Sequence, residues 1–208
     1  MNNCEKVREK IKEIANEIIS CTKCPLYASR RNAVPGEGDP CSGVMMIGEA
    51  PGVYEDEQGK PFVGAAGKLL TTLLQSIGLS RDEIYITNLV KCRPPGNRDP
   101  KDSEIKACSP YLKKQVAVIR PYLIVTLGRH STRYFFNISG RSFNSIMKVR
   151  GKFYSLSFND VTFTLLPTLH PAAALYNPSL RRILEEDFKR IKDVITKEKD
   201  RIGLERYL

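Results

Sequence analysis

The sequence predicts an α/β fold, a parallel sheet with helices on both faces. Three observations carry this. Short, wholly apolar runs such as Val44-Met-Met-Ile47 read as strands buried on both sides. Stripes of helical period alternate with those runs, the order expected when parallel strands are joined by crossover helices. The chain then turns abruptly at Gly48–Gly52, Asn88 and His170, and ligands of such sheets sit beyond the carboxyl ends of the strands.

In chain order, Val7, Ile11, Ile14 and Ile18 recur at helical spacing and predict an amphipathic helix running into Cys21. Residues 25–43 are rich in proline, glycine and charge and read as a long loop. Val44–Ile47 is the first strand. Residues 66–77 carry Leu69, Leu70, Leu73, Leu74 and Ile77, a helix stripe. Ile84–Val90 reads as the second strand, and residues 103–119 as a helix with Asp102 or Ser103 as its N-cap. Tyr122–Leu127 is the third strand, followed after Gly128 by a short helix from about 129 to 136. Residues 152–158 and 161–166 predict strands around an Asn159-Asp160 turn, the second leading to His170-Pro171. A final helix, about 179–199, places Leu180, Ile183, Leu184, Phe188, Ile191 and Ile195 on one side. No internal repeat or low-complexity segment interrupts this order.

A chain of 208 residues is long enough for a good core and is read as one domain, residues 1–208. Its 41% hydrophobic and 27% charged residues are ordinary for a soluble globular protein. No apolar run reaches the ~18 residues of a membrane helix, which argues against a membrane partner. The charged N-terminus is unlike a secretion signal. A cytoplasmic, intracellular setting with reduced thiols is therefore expected, which favours ligand cysteines over disulfides. Intracellular proteins of some hyperthermophiles are the exception. A formal charge of +10 points to a polyanionic partner, with a basic surface kept for solubility as the bland alternative. Lys91, Arg93 and Arg98 beside the expected pocket strengthen the nucleic-acid reading, with Arg129, Arg133 and Arg181-Arg182 as further candidates.

Four cysteines form a tight pair, Cys21 and Cys24, and a looser pair, Cys92 and Cys108. A Cys-x-x-Cys turn holds two thiolates close together, which suits a metal or a redox disulfide. Spacing does not separate zinc from an iron–sulfur cluster, since both accept four thiolates. The loop Gly48-Glu-Ala-Pro-Gly52 lets the backbone approach a ligand, and Glu49, Glu55, Asp56 and Glu57 can position water or accept a ligand N–H. The bland alternative is a turn with solvated carboxylates. Neither the P-loop nor the dinucleotide glycine spacing is present. Phe62, framed by glycines, can stack on a base or simply fill the core. Asn88 carries a donor and an acceptor on one amide, which matches the imide edge of a uracil or ties a local turn. His170 can donate to a developing anion, although a lone histidine is more often structural. The stretch Pro171–Tyr176 reads as a partly apolar loop able to wedge into a stacked helix. His130 reads as a helix-start residue with no role.

In their order and joint presence, six motifs resemble the iron–sulfur uracil-DNA glycosylases, usually called family 4. They are Cys21-x-x-Cys24, Gly48-Glu-Ala-Pro-Gly52, Gly59-Lys-Pro-Phe-Val-Gly-x-x-Gly67, Thr87-Asn88, Cys92 with Cys108, and His170-Pro-Ala-Ala173. The resemblance runs from about Ile18 to Ile195. It implies a three-layer α/β/α fold with a central, mostly four-stranded parallel sheet. It also implies a [4Fe–4S] cluster on Cys21, Cys24, Cys92 and Cys108, structural in character, with Cys4 and Cys41 as bystanders. The implied activity is that of a monofunctional DNA glycosylase of base excision repair, which hydrolyses the N-glycosidic bond of uracil and leaves an abasic site. Its partner is uracil-containing DNA, single- or double-stranded, and it works as a monomer, with a sliding clamp as a further partner to seek.

The resemblance also assigns roles. Phe62 stacks on the flipped ring, and Asn88 reads N3–H and O4 and so rejects cytosine. His170 donates to uracil O2 as negative charge develops there. Where better-known uracil glycosylases carry an aspartate, this chain has Ala50. Glu49, with the backbone at Ala50, is then the candidate for holding the water and the uracil edge. Glu55 is expected near uracil C5, excluding the thymine methyl, and the identity of the general base stays open. An alternative class, a non-enzymatic nucleic-acid-binding protein with a four-cysteine metal clip, shares the charge and the thiols. It gives no reason for Asn88 and His170 to sit at neighbouring strand ends. A nucleotide-processing enzyme on a similar sheet would need phosphate-binding or metal-carboxylate residues that the sequence lacks.

Overall fold

The computed structural model describes residues 3–158 and 160–205. Its strands are β1 (Glu37–Gly38), β2 (Val44–Gly48), β3 (Tyr85–Asn88), β4 (Leu123–Leu127), β5 (Tyr154–Phe158) and β6 (Val161–Thr168). They form a six-stranded sheet in the order β1-β3-β2-β4-β6-β5. The neighbours β3-β2, β2-β4 and β4-β6 pair in parallel, so the expected four-stranded parallel core is present. Two antiparallel edges, β1 and β5, add to it. The sequence reading left β1 inside a loop because a strand of two residues shows no period. The turn between β5 and β6 was expected at Asn159-Asp160. Asp160 adopts a left-handed φ of 58° suited to a tight turn, and Asn159 lies outside the described residues.

The helices are α1 (Asn3–Ile19), α2 (Val53–Gln58), α3 (Ala65–Ser76), α4 (Asp102–Ile119), α5 (Arg129–Ile138), α6 (Ile146–Val149), α7 (Pro171–Tyr176) and α8 (Ser179–Glu205). The short helices α2 and α7 replace segments read as loops, since six residues are too few to display a stripe. Neither Asp102 nor Ser103 is the N-cap of α4. Lys101 holds that position, and its N–H donates to the Glu104 carboxylate at 2.8 Å, so capping comes from inside the first turn.

Side chains alternate along the strands, so each face of the sheet receives its own core. Met45, Ile47 and Ile124 meet Ile11, Ile14 and Ile18 of α1 and Leu112 and Val116 of α4. On the other face Val44, Met46, Ile86 and Val125 meet Leu70, Leu73 and Leu74 of α3 and Leu184, Phe188 and Ile191 of α8. Each such aliphatic burial contributes about 1.5–3 kcal/mol, and together they stack the three expected layers. Under the end of β6, the fully buried Asp187 of α8 pairs with Arg150 and accepts from the Thr168 hydroxyl at 2.6 Å. A charge so buried needs those partners, and they fix the strand just ahead of His170.

Cys4 and Cys41 are disulfide-bonded, with Cα atoms 5.7 Å apart, which corrects the expectation of reduced thiols for this pair. The fold brings the start of α1 beside the segment before β2, a proximity that spacing does not reveal. Closing a loop across 37 residues restricts the unfolded chain by roughly 4 kcal/mol. Among the described residues no helix is long and apolar enough to cross a membrane.

Candidate active site

The loops that follow β2 and β3, together with the end of β6, wall a cleft of about 450 Å³, within the usual range for a small-molecule site. Glu49, Ala50, Glu55, Phe62, Asn88 and His170 all line it. The fold thus brings every expected base-contacting residue to one place.

Asn88 ends β3 at 2% exposure, and its Oδ1 has no hydrogen-bond partner among the described residues. An unpaired buried acceptor costs about 1–3 kcal/mol unless a ligand completes it. Gly48 lies alongside. A Cβ built there would stand 2.3 Å from Asn88 Oδ1 and 2.5 Å from Phe62 Cζ. The glycine is therefore needed to let the amide and the aromatic ring converge, a different use from the flexible turn read in the sequence. Phe62 is buried and its ring lies 5.6 Å from that of His170, 29° from coplanar, so it belongs to both core and cleft. Its φ of 53° is rare for a bulky residue. Arg81 holds the backbone there by donating to the Phe62 carbonyl at 2.9 Å and the Pro61 carbonyl at 2.7 Å, while pairing with Glu37. Gly67 completes the cradle, because a Cβ there would meet the Phe62 carbonyl oxygen at 1.8 Å.

His170 caps α7, with Nδ1 accepting the Ala172 N–H at 3.2 Å. That bond leaves the ring proton on Nε2. Burial pushes the imidazole pKa down to about 4, against an upward pull from Glu55, so the ring is a neutral donor at physiological pH.

Burial pushes the Glu49 carboxyl up to about 7, with Asp99 adding to the rise and Arg129 opposing it. His130 Nε2 lies 3.7 Å from Glu49 Oε2 and 3.3 Å from Asp99 Oδ2. Arg129 pairs with Asp99 at 2.7 Å and donates from Nε to His130 Nε2 at 2.9 Å. That nitrogen is accordingly unprotonated, and burial lowers the His130 pKa. Sequence reasoning gave His130 no role and overlooked Asp99, since only the fold joins these loops to Glu49.

Glu55 lines the cleft, but its oxygens are occupied. Oε2 accepts the Gly52 N–H, and Oε1 accepts those of Val63 and Gly64 at 2.8 and 2.9 Å. It braces the loop behind Phe62. The buried Asp56 likewise accepts the Arg31 N–H at 2.9 Å, far from any role in holding water.

Several basic residues expected to meet phosphate already have partners. Lys91 is corrected outright: it is 1% exposed and donates to Thr87 Oγ1 at 2.6 Å and to Asn88 O and Gln115 Oε1 at 2.7 Å. Burial lowers its ammonium to about 7, with Cys108 pulling it back up. Arg93 donates to Asn97, Arg98 forks onto Glu104, Arg133 lies over the Phe143 ring, and Arg181 and Arg182 pair with Glu185 and Glu186. The exposed pairs of Arg181 and Arg182 are weak and can be exchanged for phosphate, whereas the fork of Arg98 onto the buried Glu104 is committed to holding the start of α4.

Cys21, Cys24, Cys92 and Cys108 are free and line one recess with Arg30, Lys91 and Tyr111. Three N–H groups point at its sulfurs: Lys23 N to Cys21 at 3.5 Å, Arg30 Nη1 to Cys92 at 3.0 Å and Lys91 N to Cys108 at 3.2 Å. Such donors stabilise thiolates, so the donor set fits a thiolate-bound metal centre.

The uracil DNA glycosylase superfamily matches residues 35–194. The chain is 60% identical over 187 residues to a type-4 uracil-DNA glycosylase of Sulfurisphaera tokodaii, spanning 89% of this chain and 84% of that protein. It is 57% identical over 184 residues to the type-4 enzyme of Saccharolobus solfataricus, covering 88% and 85%. Against the type-4 enzyme of Thermotoga maritima it is 43% identical over 198 residues, covering 92% and 98%. The chain belongs to the type-4 uracil-DNA glycosylases. Cys92 and Cys108 fall inside the superfamily match, whereas Cys21 and Cys24 precede it. In this type-4 chain the recess therefore joins an N-terminal segment to the shared glycosylase fold.

Proposed function

We propose that the chain flips uracil out of DNA and hydrolyses its N-glycosidic bond, leaving an abasic site for base excision repair. The observation that carries this reading is the orphaned, buried Asn88 amide oxygen, which shares one cleft with Phe62 and His170. The strands leading to Asn88 and His170 are separated by β2 and β4, so the two meet across the carboxyl edge of the sheet rather than at neighbouring strand ends. In this reading uracil lies against Phe62. Asn88 Oδ1 accepts N3–H, and its amide N–H donates to O4. Cytosine presents the reverse pattern and leaves both Asn88 groups mispaired. As the bond between C1′ and N1 breaks, its electron pair passes to the base, and His170 Nε2–H meets the charge growing on O2. Water bonds to C1′ and yields a proton to ionised Glu49, beside the Ala50 backbone. Glu55 acts by bracing the wall near uracil C5, where the thymine methyl would intrude. Leu175 and the 90% exposed Tyr176, at the end of α7, supply the wedge into the stack.

A uracil-containing oligonucleotide, single- and double-stranded, tests the reading. Release of free uracil with alkali-labile abasic product is expected. Binding without release would instead favour the non-enzymatic protein with a metal clip. Because the ionised form of Glu49 is the base and its pKa is raised to about 7, the single-turnover rate is expected to fall about tenfold per pH unit below that value and level off above it. A profile that breaks near the ordinary carboxylate value of ~4.3 would remove Glu49 from this role.

The cysteine recess is assigned a [4Fe–4S] cluster. What supports it is that four free cysteines line one recess with N–H donors aimed at the sulfurs, in a chain of the type-4 family. When bound, the cluster supplies a rigid cross-link between the loop carrying Cys21 and Cys24 and the segment from Cys92 to Cys108. Purified protein is expected to be brown, absorbing near ~400 nm with iron bound. Colourless protein with one zinc per chain would falsify the assignment. With this reading go a single domain over residues 1–208, an intracellular monomer working beside chromosomal DNA, and a sliding clamp to be sought by pull-down.

A further inference from the structure

Lys91 presents a physical problem that the reaction leaves unsolved. Lysine is almost never fully buried unless paired, yet Lys91 is 1% exposed. Its three donors are spent on neutral oxygens, those of Thr87, Asn88 and Gln115. Among the described residues no carboxylate forms an ion pair with it. An ammonium in that setting remains poorly compensated. Cys108 lies alongside, its sulfur accepting the Lys91 backbone N–H at 3.2 Å, and as a thiolate ligand of the cluster it would carry the opposite sign.

We propose that Lys91 is a positioning residue joining the two halves of the molecule: its ammonium fixes the backbone of Asn88 for base reading and finds its counter-charge in the anionic cluster held by the cysteines. The counter-charge half rests on the iron–sulfur reading above; the tether to Asn88 does not. The oxygens it gathers come from β3, through Thr87 and Asn88, and from α4, through Gln115. Gln115 in turn donates to the Pro35 carbonyl and the Tyr85 hydroxyl. Cys108 sits on the same helix as Gln115, so the helix that carries a cluster ligand and the strand end that carries Asn88 are joined at one ammonium. Asn88 has no slack in this arrangement, being packed against Gly48 and the Phe62 ring.

The test is Lys91→Met in the iron-loaded protein, in the wild-type and Asn88→Ala backgrounds. In the wild-type background the single-turnover rate on uracil DNA is expected to drop at least about tenfold with DNA half-saturation unchanged. In the Asn88→Ala background the same substitution is expected to change little, since it acts through Asn88. Equal losses in both backgrounds would overturn the tether. Iron content and bleaching near ~400 nm under a chelator read the other half. Lys91→Met is expected to bleach several-fold faster, and unchanged bleaching, or wild-type protein without iron, overturns the counter-charge. Should Lys91→Met fail to fold, Thr87→Val keeps the ammonium and removes one acceptor. A several-fold slower rate at unchanged iron content supports the tether, and an unchanged rate overturns it.

Discussion

His170→Ala is expected to slow single-turnover excision of uracil about 10²–10³-fold at saturating DNA, the range for losing one donor to a developing anion. The imidazole is suited to that work because it is neutral. Its Nδ1 is committed to the Ala172 N–H, and burial holds its pKa at about 4, so Nε2 carries the proton throughout the physiological range. Such a donor gains little from the neutral carbonyl of bound uracil and much from the anion, which is the condition for raising rate rather than affinity. DNA half-saturation should therefore hardly move. The alanine also removes the cap of α7, a loss of about 1 kcal/mol. His170→Asn separates the two effects, because its side-chain oxygen can cap the helix while the imidazole donor is gone. A variant that melts like wild type yet cleaves at the alanine rate isolates the donor. An undiminished rate for either would remove His170 from the mechanism.

Much of this site was legible in the sequence because its parts sit at strand ends. The runs at Val44–Ile47 and Leu123–Val125 are wholly apolar since both faces are covered, and that same burial makes their ends easy to find. Asn88 and His170 lie at the corresponding ends of β3 and β6. The edge strand β1 and the helices α2 and α7 stayed hidden because they are too short to repeat a pattern. The Asp99–His130 contact over Glu49 stayed hidden for another reason: its members come from two loops and the first turn of α5, which only the folded sheet brings together. Lys91 was counted beside the pocket in support of nucleic-acid binding because composition treats every lysine as available, whereas this one is enclosed by Thr87, Gln115 and the cysteine recess. Cys4 and Cys41 lay outside the motif pattern, and only the packing of α1 against the segment before β2 pairs them.

Asn88→Asp is expected to have the largest effect, at least about 10³-fold on uracil excision above neutral pH. Sites built to hydrogen-bond a substrate edge reject a mismatched edge by up to ~10⁴–10⁵. As a carboxylate the new side chain still accepts N3–H, but its second oxygen then faces uracil O4, lone pair against lone pair. The position is 2% exposed, so the charge is also poorly solvated. Burial raises the pKa of a carboxyl group, and its protonated form again offers one donor and one acceptor, the pattern of the original amide. The rate of the variant relative to wild type at the same pH is therefore expected to rise as pH falls. Taking the ratio removes the fall due to Glu49, which both proteins share. The ionised form accepts two donors and so favours cytosine protonated at N3, which lowers the preference for uracil over cytosine. Single-turnover rates on uracil and cytosine oligonucleotides across pH 5–9, about two units on either side of the raised Glu49 pKa of about 7, would show both changes. Wild-type excision with unaltered selectivity would mean that the orphaned amide oxygen does not read the base.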